Sequence, residues 1–146
     1  MTIRRLGPGE EVALAQVAAC FDGPIRDEAA ARFLNSADHH LLVAYHGEQA
    51  VGFVSGVETT HPDKGTEMFL YELAVAEQYR RRGYGLALVH ALARLAREHG
   101  CYGMWVGTEA DNDAALATYA AAGARREGSA VIFSWQFPGA VQHAAE

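Results

Sequence analysis

The chain has 146 residues, a formal net charge of −6, 50% hydrophobic and 21% charged residues, which is the composition of an ordinary water-soluble globular protein. This composition excludes collagen-like, disordered and disulfide-scaffold proteins, and we predict one domain over residues 1–138 and a flexible tail over 139–146. No run approaches the roughly 18 apolar residues of a membrane-spanning helix, and no secretory signal precedes Gly7, so we expect a cytoplasmic protein without a membrane partner.

The first part of the chain predicts, in order, a strand, two helices and a β-hairpin. Glycine and proline residues mark the ends of these elements, and acidic residues favour the helix starts. The predicted elements cover residues 3–6, 10–22, 27–36, 41–45 and 50–57.

The second part predicts alternating strands and helices. The helix that begins near Gly85 has apolar residues at intervals of three and four, which is typical of an amphipathic helix. These elements cover residues 68–75, 85–99, 102–106, 112–122 and 130–137. The order β-α-α-β-β-β-α-β-α-β predicts an α/β (α+β) fold, in which helices pack on a mixed sheet.

Basic residues are concentrated in the middle of an otherwise acidic chain. Residues 1–79 carry net negative charge, and residues 80–126 carry net positive charge. Because nucleic-acid binding needs a broad basic surface, this distribution argues against a nucleic-acid partner and favours one discrete anionic ligand.

The strand over residues 71–75 leads into a basic turn that opens the next helix. Backbone N–H groups in such a turn, together with the positive end of the helix, bind phosphate, and glycine lets phosphate oxygens approach closely. The alternative is a solvated basic loop. The residues of this turn are Arg80, Arg81, Arg82, Gly83, Tyr84, Gly85 and Leu86.

A second pattern lies on the helix predicted for residues 112–122. Asn112 stands at its start, Ala115 and Tyr119 share one face because they are four residues apart, and Gly123 follows its end. Taken alone, a tyrosine at such a position is expected to pack in the core.

Together the two patterns resemble the signatures [R/Q]-x-x-G-x-[G/A] and N-x-x-A-x-x-x-Y-x-x-x-G of the GNAT superfamily of acetyl-CoA-dependent N-acetyltransferases. The resemblance extends over residues 3–137. It implies a mostly antiparallel sheet of about six to seven strands with about four helices on its faces. It also implies acetyl-CoA as the cofactor, with the pyrophosphate held by the turn over residues 81–86. Asn112, Ala115 and Tyr119 would also belong to the cofactor site, with Tyr119 facing the thioester sulfur. The pantetheine arm would bind to the backbone of Leu73, Ala74 and Val75.

Within the superfamily, the strand Tyr71-Glu72-Leu73-Ala74-Val75 is similar to that of the single-domain aminoglycoside 3-N-acetyltransferases. That group commonly has aspartate where this chain has Glu72 and Glu109. The resemblance therefore implies an aminoglycoside acceptor and a role in antibiotic resistance.

Acetyl transfer requires a neutral amine, yet alkyl ammonium groups titrate near about pH 10, so a base is needed. Glu72 is the leading candidate because it is an acid in an apolar strand, and Glu109 is the candidate partner acid. Backbone N–H groups near Leu73 or Ala74 would stabilise the oxyanion, and Tyr119 would protonate the leaving thiolate.

The expected acceptor is a small cationic amine, attracted by Glu72, Glu109, Asp111 and Asp113. Two alternatives remain open: an acetyltransferase acting on a protein N-terminus, lysine or polyamine, and a non-catalytic regulator that binds acyl-CoA. The histidines show no ligand spacing, so no metal is predicted. An apolar C-terminal strand containing Trp135 and Phe137 could form part of a homodimer surface or pack in the core.

Overall fold

The computed structural model describes residues 1–139, and the predicted tail at 139–146 lies outside the described residues except for Gly139. It contains one five-stranded sheet and four α-helices. The elements are β1 (Thr2–Leu6), α1 (Glu11–Ala15), α2 (Asp27–Asn35), β2 (His39–His46), β3 (Gln49–His61), β4 (Gly65–Val75), α3 (Tyr84–Glu98), β5 (Met104–Trp105) and α4 (Asp113–Ala121). Among these helices, none combines the length and apolarity needed to cross a bilayer.

The prediction of six to seven strands is wrong for residues 1–139, and so is the last strand of the predicted order. Residues 130–137 form no strand, although their apolar residues suit one. A strand needs a hydrogen-bonding partner, and this segment pairs with no other strand in the described chain. Its large apolar side chains are 75–86% exposed: Val131, Ile132, Phe133, Trp135 and Phe137.

The strands lie in the order β1-β2-β3-β4-β5, and all neighbours are antiparallel except β4 and β5. The parallel pair is held at only two positions, Met68 with Met104 and Phe69 with Trp105. Strand β4 continues to Val75, so one of its edges has no strand partner after Phe69 in the part of the chain that the structure describes.

Each face of the sheet is covered by a separate hydrophobic cluster. On one face, Leu70 of β4 packs with Leu88 and Leu92 of α3, and we call this the α3 face. On the other, Phe53 of β3 packs with Leu34 of α2, and we call this the α2 face. The two layers of helices thus sandwich the strands β2, β3 and β4.

Strand β4 contains a β-bulge immediately before Glu72. Ser55 of β3 pairs with Glu72, while the next residue, Gly56, pairs with Leu70, so Tyr71 has no counterpart. One extra residue reverses the faces on which the following side chains lie. Leu70 packs on the α3 face, and Glu72 shares the α2 face with Ala74.

A chain of hydrogen bonds lies at the end of the sheet near the C-terminus of α3. Arg5 Nη2 donates to Nδ1 of the fully buried His40 at 2.7 Å, and His40 Nε2 donates to Glu58 at 2.6 Å. His99 Nδ1 also donates to Glu58, at 2.7 Å. Arginine has no acceptor, so the proton of neutral His40 lies on Nε2.

Burial and these hydrogen bonds explain the protonation states of His40 and Glu58. Burial lowers the pKa of His40 and so favours the neutral ring. Although burial opposes it, the hydrogen bonds from His40 and His99 lower the pKa of Glu58. The nitrogen and oxygen atoms of His40, Glu58 and His99 lie within 4.8 Å of one another, but Nε2 directs a hydrogen, not a lone pair, into the cluster.

Acidification is expected to destabilise the protein through His40. Because its folded pKa lies below the ordinary value, the unfolded state binds more protons, and stability falls as the pH drops from about 7 toward about 5. Urea unfolding at several pH values measures this fall. His40→Gln lacks the titrating ring and should show a shallower fall than the wild type, whereas equal slopes would contradict the assignment to His40.

Candidate active site

The basic turn between β4 and α3 has the geometry of an anion site. Arg81 and Gly83 adopt left-handed backbone conformations, with φ of 64° and 90°, and Gly83 is the N-cap of α3. Such turns make successive N–H groups converge. The first helical bond runs from Ala87 N to Gly83 O at 3.0 Å, so the amides that precede Ala87 have no acceptor within the helix.

Three elements meet at Gly85 in the first turn of α3. A Cβ at this position would lie 3.9 Å from Val75 Cγ2 at the end of β4 and 3.9 Å from Thr118 Cγ2 of α4. These are ordinary contacts, so the protein itself would accept alanine, which is more favourable than glycine in a helix by about 1 kcal/mol. No contact within the protein therefore requires glycine at this position, and the approach of a diphosphate to Gly85 stays a prediction.

The arginine side chains of the turn have different partners. Arg80 Nε donates to the carbonyl oxygen of Val75 at 2.9 Å and so ties the turn to the end of β4. The Arg82 guanidinium lies 5.3 Å from the centre of the Tyr79 ring, while Arg81 is exposed. Arg81 and Arg82 thus lie at the surface of the turn, and Arg80 braces it.

Tyr84 belongs to the core, although the sequence placed it among the cofactor-binding residues. Its side chain is 5% exposed, and its hydroxyl hydrogen-bonds His46 Nδ1 at 2.8 Å. Tyr79 packs edge-on against its ring. The side chain therefore anchors the start of α3, and only the backbone N–H remains to serve the anion site. Leu86, the last residue of the predicted turn, is half-buried in α3.

The unpaired edge of β4 presents some of the predicted backbone groups. Ala76 N donates to Val51 O at 2.8 Å, which sets the alternation of hydrogen bonds between β3 and β4. By that alternation, the N–H groups of Leu73 and Val75 point away from β3. The N–H and C=O groups of Ala74 point toward β3. The Ala74 carbonyl oxygen lies only 2.7 Å from where a Cβ of Gly52 would be. Ala74 is therefore not a backbone ligand on the open edge.

Glu72 lies beside this edge, on the α2 face. It is half-buried, and burial together with the negative charge of Asp22 raises the pKa of its carboxyl group. Asp22 is exposed in the loop before α2, where the preceding Phe21 stacks on Phe53 with ring centres 4.1 Å apart. Sequence analysis missed Asp22 because nothing in the chain indicates which loop acid approaches β4.

Helix α4 has the limits that the sequence predicts. Asn112 Oδ1 accepts a hydrogen bond from Ala115 N at 3.1 Å and caps the helix. Gly123 has φ of 92°, and Ala124 N donates to Tyr119 O at 3.0 Å, which completes a Schellman motif. The asparagine and the glycine of the second pattern thus serve the helix itself, and Ala115 is half-buried.

Tyr119 packs against the α3 face cluster, and burial raises the pKa of its hydroxyl. The phenol therefore holds its proton at neutral pH. Within residues 1–139 no hydrogen bond involves this hydroxyl. The predicted role of Tyr119 as the proton donor to the thiolate stays a prediction.

The other predicted acids lie at the surface. Glu109, Asp111 and Asp113 are exposed, and no ion pair or hydrogen bond joins their carboxylates to Glu72 within residues 1–139. Glu109 contributes its backbone oxygen to Asn112 N at 3.1 Å, and Asp113 lies in the first turn of α4, where a carboxylate favours the helix dipole. The carboxylate that acts on Glu72 is Asp22.

The sequence profile of the Acetyltransferase (GNAT) family matches residues 13–124. The chain belongs to this family. The match includes β4, the basic turn and α4, which together form the site described above.

Two curated relatives of this GNAT protein are acetyltransferases by name. The Probable N-acetyltransferase family 8 member 5 of Mus musculus is 29% identical over 142 residues, which cover 87% of this chain and 62% of that protein. The L-2,4-diaminobutyric acid acetyltransferase of Nocardia farcinica (strain IFM 10152) is 34% identical over 85 residues, or 58% of this chain and 43% of that protein. The chain thus spans less than two thirds of the length of either.

Solved aminoglycoside acetyltransferases have similar structures. The enzyme meta-AAC0020 from an uncultured soil metagenomic sample has a TM-score of 0.85 at 21% identity, covering 93% of this chain and 95% of its own. HMB0005, from a similar source, has a TM-score of 0.78 at 27% identity, with coverages of 92% and 98%. AAC(6')-Iy, in complex with a bisubstrate analog of CoA, has a TM-score of 0.80 at 19% identity, with coverages of 93% and 98%. The first and the third likenesses concern the fold alone.

Removal of the Asp22 charge should lower the pKa of Glu72. Asp22→Asn keeps the size of the side chain but abolishes the repulsion between the two carboxylates. Titration of the Glu72 carboxyl carbon by NMR measures the change. Asp27→Asn, at the exposed start of α2, is the matched control and should leave the Glu72 titration unchanged. A titration that Asp22→Asn does not alter would contradict the electrostatic interaction between the two carboxylates.

Proposed function

We propose that this protein is an N-acetyltransferase that moves an acetyl group from acetyl-CoA directly to a primary amine, with Glu72 as the base. The single observation that carries the proposal is the position of Glu72. This half-buried carboxyl group of raised pKa lies at the unpaired edge of β4, and the amide-lined turn follows it along the chain. A carboxylate with increased proton affinity is suited to take a proton from an ammonium group.

Acetyl-CoA would supply the acetyl group as a thioester. The amides at the start of α3 and the exposed guanidinium groups of Arg81 and Arg82 would bind its diphosphate. The space at Gly85 and the outward amides of Leu73 and Val75 would accommodate the pantetheine arm of acetyl-CoA. The CoA analog bound by AAC(6')-Iy supports this choice of cofactor.

Three groups of the protein would carry the chemistry. Glu72 would accept the ammonium proton on a carboxylate oxygen and leave a neutral amine that can attack. The outward N–H of Leu73 would donate to the thioester carbonyl oxygen as it gains negative charge. The Tyr119 hydroxyl, whose raised pKa keeps the proton in place, would donate that proton to the departing sulfur.

The acceptor side suits a cationic molecule. Asp22 and Glu72 provide two interacting carboxylates, and the aromatic rings of Tyr71, Phe69 and Trp105 form a partly exposed row along β4 and β5. The face of an aromatic ring attracts cations, and it also packs against the apolar face of a sugar ring. The names of the structural neighbours favour an aminoglycoside.

The acetylated position and the broader alternatives stay predictions. The sequence resemblance favours the 3-N position, whereas AAC(6')-Iy bears a 6' designation. The Nocardia relative, named for a diamino acid, supports a smaller amine as the alternative acceptor. A protein N-terminus, lysine and polyamine also remain, as does a non-catalytic regulator. The exposed apolar residues 131–137 support the predicted homodimer.

The proposed activity is tested by release of free CoA thiol from acetyl-CoA with aminoglycosides, diamino acids, polyamines and peptides. We expect turnover with a 2-deoxystreptamine aminoglycoside and a loss of about 100-fold or more in Glu72→Gln, which cannot accept the proton. Glu77→Gln, in the exposed turn after β4, is the matched control and should keep full activity. Binding of acetyl-CoA without turnover on any amine would support the regulator instead.

The substitution Gly85→Ala distinguishes an effect on cofactor binding from an effect on stability. The added methyl group makes only ordinary contacts within the protein and should raise the melting temperature slightly, because alanine favours the helix. In contrast, acetyl-CoA affinity measured by calorimetry should fall by about tenfold, which corresponds to about 1.4 kcal/mol. An unchanged affinity would exclude the diphosphate from the first turn of α3.

A further inference from the structure

Ser55 is a polar residue in the apolar interior of β3. Its side chain is 3% exposed, and its Oγ is the single buried side-chain nitrogen or oxygen atom without a hydrogen-bond partner in residues 1–139. Buried polar groups in folded proteins almost always have a partner, and a hydroxyl without one is costly. Ser55 therefore marks a place where a polar group is expected to bind.

The residues paired with Ser55 include one candidate for that partner. Leu41 of β2 pairs with Ser55, and Phe53 lies two residues earlier on β3. Both side chains face the α2 layer and are almost fully buried. On its other side it pairs directly with Glu72 of β4. Glu72 is thus the one ionisable residue in register with the hydroxyl.

The pairing of the two residues without a direct hydrogen bond is compatible with an indirect link. Directly paired residues place their Cβ atoms about 4.5–5.5 Å apart on the same face of a sheet. The Ser55 hydroxyl and the Glu72 carboxylate nevertheless share no hydrogen bond. The bulge beside this pair leaves Tyr71 without a partner on β3, which loosens the sheet at that point. One water molecule that bonds both side chains would satisfy the hydroxyl.

We propose that Ser55 is a positioning residue for Glu72, which its hydroxyl holds through one bound water molecule. This link orients the carboxylate toward the acceptor amine and stabilises its charged form. The inference rests on the proposed function, in which Glu72 accepts the ammonium proton. Asp22 acts in the opposite sense, because its negative charge disfavours the charged form of Glu72. Burial of Glu72, which raises its pKa, acts together with these two neighbours on the proton affinity of the base.

The first test needs no substrate. In Ser55→Ala the charged form of Glu72 loses a hydrogen-bonded partner, so the NMR titration of its carboxyl carbon should move to higher pH than in the wild type. Ser55→Thr keeps a hydroxyl and should titrate like the wild type. Ser36→Ala, which removes a hydroxyl at the end of α2, is the matched control and should also titrate like the wild type. An unchanged titration in Ser55→Ala overturns the link.

The second test uses the amine that the acetyl-transfer assay identifies. Ser55→Ala should lower kcat roughly tenfold, because a misoriented base slows proton removal. The acid limb of its kcat/KM profile should shift to higher pH. The KM for acetyl-CoA should not change, since Ser55 lies on β3, away from the proposed cofactor site on β4 and the turn before α3. Ser55→Thr should restore most of kcat.

The outcomes separate the two proposals. If the wild type acetylates no amine, the proposed function fails, and the catalytic part of the inference fails with it, while the titration still decides whether Ser55 and Glu72 are linked. If the wild type is active and Ser55→Ala keeps the wild-type kcat and pH profile, the inference alone is overturned. If Ser55→Thr behaves like Ser55→Ala, the presence of a hydroxyl does not account for the effect, which also overturns the inference.

Discussion

The candidate site depends on one extra residue in strand β4. Side chains of a strand alternate between the two faces of a sheet, so the unpaired Tyr71 reverses the face of each later residue. Leu70 packs beneath α3, and Glu72 lies on the opposite face with Asp22 and Ser55. Without the bulge, Glu72 would share the face of Leu70 and bring a carboxylate into the apolar cluster beneath α3, where its charge would have no compensation.

The open edge of β4 separates two regions of opposite charge. The basic turn and the N-terminus of α3 lie beyond the end of the strand, and the carboxylates of Glu72 and Asp22 lie on the α2 face. An anionic diphosphate and a cationic amine would thus approach the same edge from different directions. The short pairing of β4 with β5 makes this possible, because only Met68 and Phe69 have partners on that side.

Local chemistry explains which parts of the site could be predicted. Asn112 caps α4 and Gly123 ends it through bonds to residues within one or two turns of the same helix. Gly83 begins α3 in the same local way. By contrast, the strand predicted at 130–137 is absent because strand formation requires a partner from another part of the chain. The hydropathy of residues 130–137 does not indicate whether another strand is available to pair with them.

The sequence by itself determined the order of the elements from β1 to α4, the position of the glycine-containing turn before α3 and the limits of α4, since these depend on residues close together in the chain. Only the tertiary structure decided which groups surround Glu72. It placed Asp22 and Ser55 beside the carboxylate, buried the side chain of Tyr84 and left Glu109 at the surface. The physical reason is that strand register and helix packing join residues distant in sequence, and a single bulge can reverse which side chains meet.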